Sequence, residues 1–148
     1  MAFKTNSVGI AFKCNDALLS CGATWAMKLS QLSKQEGTVR IITYSLPNME
    51  YVETQFSRRP YDIFLIAHEK FATIAGRIKN RFQNIRIALN KSVHSKILMI
   101  EPSTIYISSA NFGLSKWHET SLGFHSKKAH QWYLERAFLP LWEKSTEV

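Results

Sequence analysis

The chain has 148 residues, 45% hydrophobic and 20% charged, with six Gly and four Pro. That composition excludes a disordered, fibrous or low-complexity protein, and residues 1–148 suit a single domain with one core. A net charge of +8 and an isoelectric point near 9.7 point to an anionic partner such as nucleic acid or an acidic membrane.

Residues 8–12 form a short apolar run with strand character. Residues 15 to about 34 read as a helix, capped by Asn15 or Asp16, with Leu18, Gly22, Trp25, Leu29 and Leu32 along one face. Cys14 and Cys21 would lie two turns apart on its edge, about 10 Å between Cα atoms. That is too far for a bridge, so both are read as free thiols. Gly37 ends the helix, residues 38–44 are β-branched enough for a strand, and Pro47 and Asn48 turn the chain.

A mostly polar helix over residues 49–58 leads to Pro60. Residues 63–67 are then continuously apolar, as in a strand buried on both faces. Residues 69–81 read as a helix with Phe71, Ile74, Ala75 and Ile78 on one side, and residues 85–88 as a short strand. The alternation is that of an α/β sheet. Residues 97–100 and 105–107 are separated by too few residues for a helix and make a hairpin. Residues 120–124 add a strand, and His130, Leu134, Ala137, Phe138 and Leu141 mark a C-terminal helix that Pro140 should kink or shorten. With no secretory leader and no apolar run near the roughly 20 residues that span a bilayer, the expectation is a cytoplasmic protein.

Charge is unevenly spread. From Lys70 to Ile100 the basic residues are Lys70, Arg77, Lys79, Arg81, Arg86, Lys91 and Lys96, with no Asp or Glu between them. This segment runs into His94-Ser95-Lys96, where strand geometry aims an imidazole and an ammonium at one spot. The imidazole can act as nucleophile or general acid and base near neutral pH, and the ammonium offers three donors to phosphoryl oxygens. The hairpin returns Ser108-Ser109-Ala110-Asn111 beside them, adding a hydroxyl and an amide as neutral phosphate donors. His68, His118, His125 and His130 share no ligand spacing and no Cys cluster, so neither a metal site nor a cofactor is expected.

His94-x-Lys96, four residues, Glu101, six residues, Ser108-Ser109-x-Asn111 resembles the phospholipase D superfamily signature H-x-K-x4-D-x6-G-S-x-N with every spacing kept. Glu101 stands where the family has Asp, and Ser108 where it usually has Gly. The resemblance implies an α/β fold, a mixed and mostly buried sheet flanked by helices on both faces, with one motif per chain. Glu119, just before a strand, resembles the family glutamate that orients the catalytic histidine. Because the chain carries one motif and the family needs two, the resemblance also implies a homodimer with one shared active site, as in its small endonucleases.

The residues and the resemblance together suggest a metal-independent nuclease working through a phosphohistidine. His94, Lys96, Ser109, Asn111 and Glu119 would carry the chemistry, with Glu101 and Ser108 in support. Arg58, Arg59, Arg81 and Lys91 are candidates for nucleic-acid contacts. A nucleic-acid-binding protein that has lost turnover is the alternative, motivated by the longer side chain of Glu101. A lipid phosphodiesterase is less favoured, because no basic amphipathic helix would anchor the chain to a membrane.

Overall fold

The computed structural model describes residues 2–14, 16–22, 25–30 and 32–148. In chain order the elements are β1 (Ala17–Cys21), α1 (Trp25–Leu29), β2 (Val39–Ile42), α2 (Met49–Phe56), β3 (Ile63–His68), α3 (Ala72–Arg81) and β4 (Arg86–Asn90). The hairpin β5 (Ile97–Ile100) and β6 (Thr104–Ser108) follows, then β7 (Thr120–His125), α4 (Lys127–Tyr133), α5 (Leu139–Glu143) and β8 (Thr146–Glu147). Among the described residues, eight strands make one sheet in the order β1-β7-β6-β5-β2-β3-β4-β8. The β2-β3 and β3-β4 pairs are parallel and the others antiparallel, so the α/β fold with a mixed sheet is as expected.

The centre of the sheet is apolar on both sides because β2, β3 and β5 are nearly unbroken runs of Val, Ile, Leu, Phe, Ala and Met. On one face Val39, Ile41, Leu65 and Leu98 pack with Trp25 of α1, Val52 and Phe56 of α2, and Ile78 of α3. On the other, Ile42, Ile66, Met99, Ile105 and Phe124 pack with Ala129 of α4 and with Phe138. Local chemistry starts the helices. The Asn48 side chain caps α2 by accepting from Tyr51 N at 3.0 Å, and Ser126 caps α4 by accepting from Ala129 N at 3.1 Å. Pro140 sits in the first turn of α5, after a π-helical stretch over Leu134–Phe138. The wider turn relieves the helix where proline has no N–H to give. No helix among the described residues is long and apolar enough to cross a membrane.

The N-terminal third departs from expectation. Residues 8–12 are not a strand: Val8 is 84% exposed, and Phe12 leans on Phe124 at 5.0 Å between ring centres. Ala17–Cys21 takes the edge place beside β7 instead, so the long helix shrinks to α1. Trp25, Leu29 and Leu32 are core, but Leu18 is 56% exposed. Its match to the helical stripe was coincidental, and an edge strand with mostly exposed side chains carries little apolar signal. Asn15, one proposed cap, lies outside the described residues. Cys14 and Cys21 are free, although Cys21 closes a strand and not a helix.

Strand register defines two ends of the sheet. Ile42 pairs with Ile97, Ile97 with Ile107, Ser108 with Ser121, Cys21 with Thr120, and His68 with Asn90. The approaches to these positions therefore share one end, with Tyr44, Lys70, Lys91, His94, Lys96, Asn111 and Glu119 close by in sequence. Val39, Ile63, Arg86, Ile100 and Thr104 mark the other end.

Candidate functional site

His94 and Lys96 lie on the extended segment entering β5, and their side chains share a side as the pleat requires. Lys96 Nζ stands 3.2 Å from His94 Nδ1 and 3.5 Å from Nε2. The segment is held at both ends. Ser92 N and Oγ donate to Asn90 Oδ1 at 2.9 and 2.8 Å, and Ser108 N donates to Lys96 O at 3.0 Å. The Tyr44 ring lies 5.6 Å from the His94 imidazole and also contacts His68 and Phe71, at 4.7 and 5.8 Å.

Asn111 reaches the same place from β6. Its Oδ1 accepts from Tyr44 N at 3.2 Å and Ser45 N at 3.3 Å, so its amide nitrogen is left as the donor. Behind it, Trp25 Nε1 donates to Ala110 O at 2.8 Å and Phe112 N donates to Thr43 Oγ1 at 2.9 Å. Ser108, in the usual glycine position, is buried. Its Oγ accepts from Ala110 N at 3.1 Å and from Ser121 Oγ at 2.9 Å, so it shapes the turn and does not face the site.

Ser109 Oγ donates to Glu119 Oε2 and accepts from Thr120 N at 2.9 Å, while Ser115 Oγ donates to Glu119 Oε1 at 3.0 Å. The resemblance implied that Glu119 orients His94. In this chain both its oxygens are engaged by hydroxyls, and His94 is flanked by Lys96 and Tyr44. Glu119 acts on the site as a charge. Burial pushes the Lys96 ammonium below its usual range, and the negative Glu119 opposes that shift.

Lys28 of α1 is a residue that sequence reasoning missed. It is 2% exposed, its Nζ is 4.8 Å from the centre of the Trp25 ring, and among the described residues it has no hydrogen-bond partner. Burial pushes it down to about 8, with Glu119 again the opposing charge. A signal existed, because Trp25, Lys28, Leu29 and Leu32 follow the i, i+3, i+4, i+7 spacing of one helix face. Tyr44 was missed too. Its position just beyond a parallel strand's carboxyl end is where α/β sheets place ligand-binding residues.

Glu101 stands elsewhere. It lies seven residues beyond His94, roughly 20 Å of extended chain, and pairs with Arg40 Nη1 at 2.6 Å. Glu101 N also donates to Thr38 O at 3.0 Å. Gly37 lets the backbones meet there, since a Cβ at that position would sit 2.0 Å from Glu101 O. The extra methylene of Glu101 is therefore absorbed far from His94.

The linear basic run is divided by the fold. Lys70 and Lys91 are exposed near His94, but α3 carries the chain away so that Arg81 stands at the opposite end, beside Glu53 at 3.3 Å. Arg58 and Arg59 precede β3 at that end as well. Arg59 is withdrawn altogether as a nucleic-acid contact: it is 4% exposed and donates to Gln35 O, Glu36 O and Asp62 Oδ2. A buried guanidinium that closes a loop has no donors facing a ligand.

No protein-family model matches the chain, and no curated protein matches it. Solved structures do. Nuc from Salmonella typhimurium, a phospholipase D family member, aligns with a TM-score of 0.72 at 18% identity, over 90% of this chain and 99% of that one. TrmBL2, an archaeal chromatin protein with a novel mode of DNA binding, aligns at 0.66 and 9% identity, over 89% of this chain and 53% of that one. Phosphatidylserine synthase from Haemophilus influenzae aligns at 0.65 and 10% identity, over 90% and 39%. At such identities the likeness is one of architecture, and the chain has the phospholipase D fold.

Proposed function

We propose that this chain is a phosphodiesterase that hydrolyses nucleic acid without a metal ion, through a phosphohistidine, in an active site shared by two copies of the chain. The observation that supports this most is the approach of Lys96 to His94, 3.2 Å apart, at the end of the sheet that also presents the Asn111 amide, while the Ser109 hydroxyl is spent on Glu119. A phosphoryl group entering between them takes the Lys96 donors and the Asn111 amide, leaving the imidazole free to attack.

In the first displacement the His94 nitrogen bonds to phosphorus, the P–O bond to the leaving strand breaks, and His94 of the partner subunit protonates the departing oxygen. In the second, water attacks phosphorus, that same imidazole takes the water proton, and the P–N bond breaks to restore His94. Lys96 and the Asn111 amide stabilise the equatorial oxygens during both steps. Two such sets around one twofold axis supply the second imidazole that one chain lacks.

The substrate is a polyanion on grounds of charge. The chain carries +8, and Lys70, Lys91 and Lys96 gather near His94. TrmBL2, with its DNA binding, and phosphatidylserine synthase share this architecture, so the basic charge carries the choice of nucleic acid over lipid, and a purely binding role is the second reading. That reading loses its original motive, because Glu101 is paired with Arg40 away from the phosphate groups.

Cleavage of a labelled oligonucleotide in EDTA, with wild-type protein and His94→Ala, tests the proposal. Product from wild type and at least a 1000-fold loss in the variant are expected, consistent with removal of a nucleophile. Salt-sensitive binding without product from either protein would favour the binding role. Equal cleavage by both proteins would end the proposal.

A further inference from the structure

A cleft of about 480 Å³ opens beside Asn111 and Glu119, between the turn after β2 and the loop from β6 to β7. That size is within the range of small-ligand sites. Pro47 forms one wall, and Leu114, Lys116 and Trp117 form the other. Asn111 and Glu119 also belong to the phosphate site, so a strand held at His94 has its next nucleotide at the mouth of this cleft.

The loop is built to present its apolar side chains. Trp117 is 81% exposed and Leu114 80%, yet the backbone beneath them is tied down. Trp117 N donates to Ser115 Oγ at 3.1 Å, and Ser115 Oγ donates on to Glu119. Gly113 adopts φ +138, where its missing side chain lets the loop rest on Pro47, 3.0 Å from where a Cβ would stand. Leu114 and Trp117 together make an exposed apolar patch on an anchored loop beside the proposed phosphate site, which points to a ligand.

The cleft chemistry selects that ligand. A phosphate there would face the Glu119 carboxylate. A neutral, flat group would find the indole to stack on, and the hydroxyl of Ser45 and amide of Asn111 would serve its polar edge. Lys116 at the rim attracts the strand that carries it. We propose that the cleft takes the base of a nucleotide adjoining the phosphate held by His94, stacked on Trp117, and that the chain therefore prefers unpaired strands. A base inside a duplex is stacked on both sides and cannot enter. This rests on the nucleic-acid reading above, but not on turnover.

The test is binding, measured by fluorescence anisotropy in EDTA with single-stranded oligonucleotides in which one abasic site is moved along the chain. Wild type is expected to lose about 5- to 150-fold in affinity at one abasic position, the span that stacking of one base covers. Trp117→Ala should weaken the intact strand by a similar factor and no longer register the abasic site, while Trp117→Phe keeps both. The matching duplex should bind more weakly than the single strand. An abasic penalty of the same size in wild type and Trp117→Ala overturns the inference. So does a shift of Trp117→Ala from dimer to monomer in sedimentation velocity, which would assign the indole to contact with a second copy. Failure of cleavage alongside a Trp117-dependent abasic penalty would sink the hydrolytic reading and leave the base site standing.

Discussion

Arg40 and Glu101 form an ion pair of 2.6 Å at the end of the sheet opposite His94, joining β2 to the end of β5. The Arg40 guanidinium also lies over the rings of Phe64 and Phe138, at 5.6 and 5.7 Å, so the pair closes one side of the core. Glu101→Gln is expected to cost about 1–2 kcal/mol of stability, the scale of a charge-assisted bond that becomes neutral. Turnover per folded molecule should stay within about twofold, since no group near His94 moves. Urea denaturation and kcat measured on the same preparation check both halves.

Asn111 divides its two ends between scaffold and substrate. Its Oδ1 is bound by Tyr44 N and Ser45 N, and only its nitrogen is available to a phosphoryl oxygen. Asn111→Asp keeps an acceptor for both amides while replacing the donor with an anion. The thermal midpoint should therefore stay close to wild type, while kcat/KM falls by about 100- to 1000-fold, the usual cost of one oxyanion donor. A fall in melting temperature with little loss of activity would mean that Asn111 is a turn residue alone.

Lys28 gives a pH-dependent prediction. In the unfolded chain it titrates near its ordinary 10.5, and in the folded chain near 8. Between those values the unfolded state holds more protons, so this group makes stability rise with pH from about 8 to 10.5. Below 8 its full burial cost is present. Lys28→Met, apolar and of similar length, should melt above wild type at pH 7, with the difference shrinking as pH approaches 10.5. Differential scanning calorimetry across that range tests the sign.

The central strands were legible because they are apolar on both faces, and the hairpin because four residues cannot hold a helix. The beginning of the chain was not. An edge strand whose side chains are mostly exposed looks like loop, and Leu18 happened to fall in phase with Trp25 and Leu29. The site was legible where one strand pleat fixes it, as for His94 and Lys96. Spacing could not say that Asn111 would grip the turn after β2, that Glu119 would be taken up by Ser109 and Ser115, or that Arg59 would be sealed against Gln35 and Glu36. The contacts of Asn111 and Arg59 join residues 23 to 67 apart, and Ser109 meets Glu119 across a loop 10 residues on, so local pattern is silent about them.

Charge placement separates Lys91 from Arg81, although both belong to one uninterrupted basic run. Lys91→Glu, near His94, should weaken oligonucleotide binding and lower the slope of log affinity against log salt by about one phosphate contact. Arg81→Glu, at the far end and already beside Glu53, should change that slope less. Equal effects would mean that the strand wraps both ends of the sheet.

The central claim is that phosphorus passes through a bond to His94. The steric course of cleavage of a chiral phosphorothioate diester, run in EDTA with labelled water, measures this directly. Two in-line displacements, first by His94 and then by water, predict net retention of configuration at phosphorus. Net inversion would show one direct attack by water and would contradict the account.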